Sequence, residues 1–186
     1  MIASEYRGVW VLAEQREGNL LSVSVELIGE GRKIADKLDT KLTAVLFGYQ
    51  VDSLIDELIK YGADEVLYGD SELLKIYTTD AYTKCLCKLI EDRKPEILLI
   101  GATNIGKDLA PRVAARVHTG LTADCIELDV DIENRRLVMT KPAFGGNLMA
   151  SIICPNHRPQ MVTIRPGVIK RDRKSTRLNS SHLGIS

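Results

Sequence analysis

Short apolar runs alternate with stretches of helical periodicity over the first two-thirds of the chain, and this alternation constrains the fold most. The apolar runs, which have the length of strands, are GVWVLAE (8–14), LTAVLFG (42–48), EVLYG (65–69) and EILLIG (96–101). The segments that follow them carry apolar residues at helical spacing and span 20–38, 51–61, 79–90 and 106–117. Such strand–helix alternation predicts a parallel sheet with right-handed crossovers.

The last third of the chain has a different pattern. CIELDVDIENRRLVMTKPAF (125–144) alternates with period two around a turn at Glu133 and Asn134, which predicts a hairpin. LMASIIC (148–154) and QMVTIRPG (160–167) predict two further strands with no helix between them. The fold class is therefore α/β, a mainly parallel sheet with flanking helices and a strand-rich C-terminal third.

The C-terminal end differs in composition from the rest. RDRKSTRLNSSHLGIS (171–186) is rich in serine and arginine and lacks apolar periodicity. We predict one domain over residues 1–168 and a disordered or non-native tail over 169–186.

Charge and cysteine content exclude some classes of function. The 25 basic residues balance the 25 acidic ones, which argues against a general nucleic-acid binder. No apolar run approaches the ~20 residues that span a bilayer, so no membrane span is predicted. The spacing of the four cysteines suits neither a zinc site nor a redox pair. Without a secretory signal, a cytoplasmic or mitochondrial-matrix-like compartment is expected.

The loop after the fourth strand has the frame of a phosphate-binding loop. GATNIGKD (101–108) keeps the spacing G-x-x-x-x-G-K, but Asp108 stands where a hydroxyl would bind magnesium. The loop nevertheless lies at the carboxyl end of a central strand, where open α/β sheets bind ligands, and it precedes a helix N-terminus. A capped helix with solvated Lys107 and Asp108 is an equally good interpretation.

Residues that could perform catalysis are not grouped in the sequence. Arg112 and Arg116 share a helix face and suit either an anion or a partner's carboxylates, although a solvated basic face is the simpler interpretation. No Ser-His-Asp set, carboxylate pair or metal-ligand cluster is readable, so we predict no catalytic and no metal-binding residues.

Three segments together resemble one known family. GATNIGKDLAPRVAARVHTGLTADC (101–125), KPAFGGNLMASIICPNHRPQMVTIRPG (141–167) and VWVLAE (9–14) are similar, in this order, to the alpha subunit of electron transfer flavoprotein. The resemblance implies an N-terminal domain that is similar in fold to the adenine-nucleotide alpha-hydrolase group. It implies a heterodimer with a beta subunit that carries electrons from acyl-CoA or other dehydrogenases to an acceptor, in some members with NADH-linked bifurcation.

The resemblance also sets expectations for cofactor and site. FAD is held mainly by a C-terminal domain, which should begin where this chain ends, so this fragment is expected to supply scaffold and subunit interface without holding FAD alone. The family's AMP site belongs to the beta subunit. The residues expected to face the flavin or the partner are Thr103, Asn104, Arg112, Thr119, Gly120, Thr122 and Asp124, with Lys107, Arg116, Phe144, Gly145, Gly146, Asn147 and Arg165 as further candidates. The alternative is a stand-alone ATP- or AMP-binding module of the universal-stress type.

Overall fold

Parallel strands form the central layer of the protein, which the computed structural model describes over residues 5–169 and, for the backbone alone, over 181–185. The strands of this sheet are β1 (Val9–Ala13), β4 (Leu42–Gly48), β5 (Glu65–Asp70), β6 (Ile97–Gly101), β7 (Leu121–Cys125) and β11 (Gln160–Ile164). They pair in the order β5-β4-β1-β6-β11-β7, and every pair is parallel. The backbone of β12 (Ser181–Ile185) lies parallel to β5.

Helices cover both faces of the sheet. They are α1 (Ser22–Lys37), α2 (Ser53–Tyr61), α3 (Thr79–Arg93) and α4 (Asn104–Arg116). Val9 and Val11 of β1 share a buried cluster with α1 and α2, whereas Trp10 and Leu12 share one with α3 and α4. Because successive strand residues point to opposite faces, β1 is buried by a helix pair on each side. The predicted α/β fold is confirmed.

Helix α1 is continuous although its sequence contains two glycines, which disfavour helix. At Gly31, a Cβ atom would lie 2.8 Å from Leu42 Cδ1 and 3.1 Å from Val11 Cγ2. Glycine at this position therefore lets α1 approach the sheet closely, and the packing outweighs the low helix propensity.

An antiparallel sheet accounts for the strand-rich C-terminal third. Its strands are β8 (Glu127–Asp131), β9 (Arg136–Ala143) and β10 (Leu148–Ile152), in the order β10-β9-β8. Leu128 and Val130 of β8, with Leu137 and Met139 of β9, are buried in the cluster that also contains α1. β10 contributes no residue to that cluster. A two-residue pair, β2 (Gln15–Arg16) and β3 (Asn19–Leu20), forms a small hairpin after β1.

Two features of this topology position the site. The chain runs outward from β1 through β4 to β5 and then returns to β6, so its direction reverses between β1 and β6. β11 is inserted between β6 and β7, although β7 precedes it in sequence.

The predicted tail falls largely on residues that the structure does not describe. Residues 170–180 and 186 lie outside the described ranges, and for 181–185 only the strand β12 can be stated. The domain boundary at residue 168 and the disordered or non-native character of residues 169–186 stay predictions.

Candidate functional site

The carboxyl ends of β1 and β6 lie side by side where the chain reverses direction, which is where open α/β sheets form a ligand crevice. Glu14 follows β1, and Thr103 follows β6 by two residues. The Thr103 hydroxyl Oγ1 lies 2.9 Å from Oε1 and 2.8 Å from Oε2 of the Glu14 carboxylate, to which it donates. A carboxylate of the chain itself therefore occupies the crevice.

Glu14 is fixed on both its backbone and its side chain. Its backbone N–H donates to Ser24 Oγ at 2.7 Å, and the Ser24 hydroxyl donates to the Glu14 carbonyl at 2.9 Å. The residue is only 6% exposed. Burial raises the pKa of its carboxyl group, and the hydrogen bond from Thr103 lowers it by less.

Thr103 also begins helix α4. Its Oγ1 accepts the Gly106 backbone N–H at 3.0 Å, as an N-cap does. A Cβ atom at Gly106 would lie 1.8 Å from the Gly101 carbonyl oxygen, so the first turn of α4 packs directly on the end of β6. Within the loop that has the predicted G-x-x-x-x-G-K spacing, Thr103 therefore binds Glu14. The negative charge of the Glu14 carboxylate at this point repels a phosphate.

Asp124 and Arg165 form an ion pair on the rim of the same sheet edge. Arg165 Nη2 lies 2.5 Å from Asp124 Oδ2, and Arg165 N–H donates to the Cys125 carbonyl at 2.9 Å. The hydrogen bond from Arg165 lowers the pKa of Asp124, and the charges of Lys107 and Lys141 lower it further. Asp124 thus pairs directly with Arg165, and the charges of two lysines also favour its ionised form.

The structure does not bring all the predicted site residues together. Asn104 is exposed at the start of α4, next to Thr103. Thr122 is buried within β7. Thr119 and Gly120 precede β7 and so lie at the opposite, amino edge, where Thr119 Oγ1 donates to the Pro159 carbonyl at 2.7 Å.

Arg112 lies away from this rim. Its Nη1 is 3.9 Å from Asp80 Oδ1 on α3, and its Nε is 4.0 Å from Asp108 Oδ1. Asp108 in turn accepts hydrogen bonds from the hydroxyls of Tyr77 and Thr79. Arg112 therefore belongs to a polar network that links α3 and α4.

The hairpin between β9 and β10 carries exposed apolar side chains beside the rim. Lys141 of β9 is close enough to Asp124 to affect its pKa, and the turn begins at Phe144. The exposed apolar residues of the turn, of β10 and of the residue after it are Phe144, Leu148, Met149, Ile152 and Ile153. No described strand pairs with the outer edge of β10, so this strand offers both apolar side chains and free backbone groups.

Exposed hydrogen-bond donors line this edge of the sheet. Asn104, Lys107 and Arg165 are exposed and offer hydrogen-bond donors at the rim. The crevice beneath them is filled by Glu14 and Thr103. Within the described residues, this edge therefore offers exposed hydrogen-bond donors above a filled crevice.

The described residues contain no cluster of histidine, cysteine, aspartate and glutamate that could hold a metal ion. Cys85, Cys87, Cys125 and Cys154 are free thiols. Over the same residues, every helix is too short or too polar to cross a bilayer. The cytoplasmic or matrix-like location stays a prediction.

Sequence reasoning missed Glu14, the residue that fills the crevice. Glu14 and Thr103 are 89 positions apart, and no local pattern links them. A signal was nevertheless present, because both residues follow buried strands at what a parallel sheet makes a common edge. Lys141, whose charge lowers the pKa of Asp124, was also not predicted as a site residue.

Comparisons with known proteins agree on one family. The model of the electron transfer flavoprotein domain matches residues 9–180. The chain is 61% identical over 171 residues to Protein FixB of Clostridium saccharobutylicum, covering 92% of this chain and 51% of that protein. It is 57% identical over 171 residues to the electron transfer flavoprotein subunit alpha of Clostridium acetobutylicum, with coverage of 92% and 51%.

A third relative is named as an electron transfer subunit of acryloyl-CoA reductase. The chain is 50% identical over 190 aligned positions to the acryloyl-CoA reductase electron transfer subunit beta of Anaerotignum propionicum, covering 90% of this chain and 52% of that protein. The chain thus spans about half the length of the curated relatives it matches.

Proposed function

The chain belongs to the electron transfer flavoprotein family and corresponds to the N-terminal half of its alpha-type subunit, and from this premise we propose that it supplies the scaffold and the subunit interface of a heterodimeric electron carrier. The partner is a beta-type subunit of the same family. The complete heterodimer holds FAD and carries electrons from an acyl-CoA or other dehydrogenase to an acceptor. NADH-linked bifurcation by the complete protein stays a prediction of the same proposal.

The observation that carries the proposal is the exposed apolar strand β10, whose outer edge pairs with no described strand. Leu148 is 59% exposed and Met149 is 53% exposed, and Phe144 in the adjoining turn is 83% exposed. Burying a leucine of this kind against a partner stabilises a complex by about 1.5–3 kcal/mol. A β-strand with these properties is suited to pair with, or pack on, another subunit.

The charged rim supports the cofactor part of the proposal. Lys107, Arg165 and Lys141 surround Asp124 at the carboxyl edge, next to the hairpin. We assign to Asn104, Lys107, Asp124 and Arg165 the polar wall that faces the flavin. When bound, the flavin supplies the electron-carrying chemistry, and these residues orient it through hydrogen bonds and charge.

The interface is tested by changing one exposed leucine. We compare the wild-type chain with Leu148→Asp, each mixed with a purified beta-type subunit from a related flavoprotein, and measure the dissociation constant by calorimetry. In the complex, the variant loses the apolar contact of the leucine and buries a carboxylate in its place. This change should weaken the complex at least tenfold, since ~1.4 kcal/mol corresponds to that factor. The matched control is Ile132→Asp, because Ile132 is 56% exposed in the turn at the other end of the same sheet.

Two results would count against the proposal. One is a Leu148→Asp complex as tight as that of the wild type. The other is equal weakening by Ile132→Asp, which would point to a non-specific effect of the new charge.

The alternative of an ATP- or AMP-binding module is disfavoured by the crevice. Glu14 places a buried carboxylate where the nucleotide phosphates would lie. Titration of the isolated chain with ATP should therefore show no micromolar binding, and such binding would favour the alternative.

A further inference from the structure

A second cavity opens at the amino edge of the parallel sheet, opposite the edge described above. Its volume is about 190 Å³. The lining residues precede or begin β1, β4 and β5, or end α3, and they are Arg7, Gly8, Trp10, Thr40, Lys41, Thr43, Glu65, Leu67 and Arg93. Because β1 is 5 residues long, the two edges are about 16 Å apart along the strand.

The charges of this cavity are unbalanced. Arg7, Lys41 and Arg93 line it, and Glu65 is the one carboxylate among the lining residues. Within the described part of the chain, none of the three cations makes a side-chain hydrogen bond or ion pair with another residue. By contrast, the nearby Lys88 and Lys94 are paired, with Asp92 and Glu5.

Glu65 offsets only one of the three positive charges. Its Oε2 accepts a hydrogen bond from Thr43 Oγ1 at 3.2 Å, so the neighbouring strand already uses part of its acceptor capacity. The lining residues therefore carry two more positive than negative charges. No acceptor among the described residues takes a hydrogen bond from the guanidinium groups of Arg7 and Arg93.

Trp10 adds a neutral donor to the wall. Its side chain is 4% exposed, and its indole nitrogen lies 4.0 Å from where a Cβ on Gly8 would be. Among the described residues, no acceptor takes a hydrogen bond from this indole N–H. The indole N–H can only donate a hydrogen bond, so together with the three cations it favours a ligand that is rich in acceptors.

We propose that this cavity binds a small oxyanion, a phosphate or a carboxylate, between the side chains of Arg7, Lys41 and Arg93 and beside the Trp10 indole. Arginine presents paired N–H donors that match the oxygen spacing of both groups. The volume is below the ~300–1,000 Å³ of sites for drug-sized ligands, which excludes a flavin or a dinucleotide. The site is thus separate from the proposed flavin wall, and neither depends on the other.

The test uses the single tryptophan of the chain as a reporter. In a ¹H–¹⁵N spectrum of the full chain, the one indole resonance comes from Trp10. We titrate inorganic phosphate and, in parallel, succinate at constant ionic strength maintained with sodium chloride. A saturable shift of that resonance in the millimolar range is expected with at least one of the two, and the arm that saturates identifies the oxyanion.

Variants show whether the cations cause the shift. Arg93→Ala and Lys41→Ala should each weaken binding at least fivefold. Lys88→Ala, which removes an exposed cation from α3 outside the cavity, should leave it unchanged within about twofold. The absence of a saturable shift with either anion in the wild-type chain would overturn the proposal, as would equal weakening by Lys88→Ala. The wild-type titration shows whether either anion binds, even where a variant fails to fold.

Discussion

The guanidinium of Arg135 holds the carboxylate of Glu96 at two points, with Nε 2.9 Å from Oε1 and Nη2 2.6 Å from Oε2. Arg135 lies in the turn between β8 and β9, and Glu96 immediately precedes β6. The hydrogen bonds that Arg135 donates to the Glu96 carboxylate raise the pKa of Arg135. This pair therefore joins the antiparallel sheet to the amino edge of the parallel sheet, where the Glu96 side chain is only 5% exposed.

Arg135→Met should destabilise the fold because it leaves the buried Glu96 carboxylate without its partner. We expect a loss of about 2 kcal/mol in the free energy of unfolding, less than the ~3–5 kcal/mol for fully buried pairs, because the Arg135 side chain is 31% exposed. The change in the free energy of unfolding is measured by urea denaturation. Adding Glu96→Gln should recover part of the loss, and a double variant that is additive with the two single changes would contradict the coupling.

Thr103→Val should cost stability in two ways. It removes the N-cap of α4, worth about 1 kcal/mol, and it leaves the Glu14 carboxylate without its hydroxyl donor, worth about 1 kcal/mol or more. Thr103→Ser keeps the hydroxyl and is the matched control, with an expected change below about 0.5 kcal/mol. Equal unfolding free energies for the valine and serine variants would show that the hydroxyl contributes nothing.

The stability of the fold should depend on pH through the titration of Glu14. Its carboxyl pKa is raised from 4.5 by burial, so the folded state binds the proton more tightly than the unfolded state does. Protonation therefore stabilises the fold, and this contribution is lost as pH rises from about 4.5 through the folded-state pKa.

Glu14→Gln removes this titration, so the free energy of unfolding of the variant minus that of the wild type should increase with pH over the same window. The difference isolates Glu14 from Asp124, whose pKa is lowered and whose effect has the opposite sign. A difference that stays constant with pH would show that the carboxyl group titrates normally.

Gly106→Ala and Gly29→Ala should have opposite effects although both glycines lie in helices. A Cβ at Gly106 would lie 1.8 Å from a backbone oxygen, so we expect a loss of at least about 3 kcal/mol. Nothing lies within 4 Å of a Cβ at Gly29, so alanine there should add about 0.5–1 kcal/mol through helix propensity. Thermal unfolding of the two variants checks the contrast, and equal shifts in Tm would refute the close approach of α4 to β6.

The sequence allowed the parallel strands and their helices to be predicted because each has a periodicity of its own. β4 was predicted at its observed bounds, and β6 was expected to be central because it is apolar on both faces. β7 was not predicted as a strand, because Leu121, Thr122 and Asp124 form no clear alternation and the strand depends on pairing with β11. The residue pattern of a single segment does not show with which other strand that segment pairs.

The candidate site was predicted less well than the fold for the same reason. The loop at 101–108 was located correctly at a strand end, but its occupant, Glu14, comes from another strand. Arg112 was grouped with the loop residues on the family resemblance, and its ion-pair partner Asp80 on α3 could only be found from the packing of the two helices. Contacts between distant segments decide which side chains share a site.

Because β11 lies between β6 and β7, the parallel sheet cannot be completed in the order in which its strands are synthesised. During synthesis, β7 leaves the ribosome before the strand that will hold it, and β6 has one open edge until Gln160–Ile164 follow. A nascent chain that stops before residue 160 therefore exposes backbone donors and acceptors on both β6 and β7, which is the condition that favours chaperone capture or aggregation.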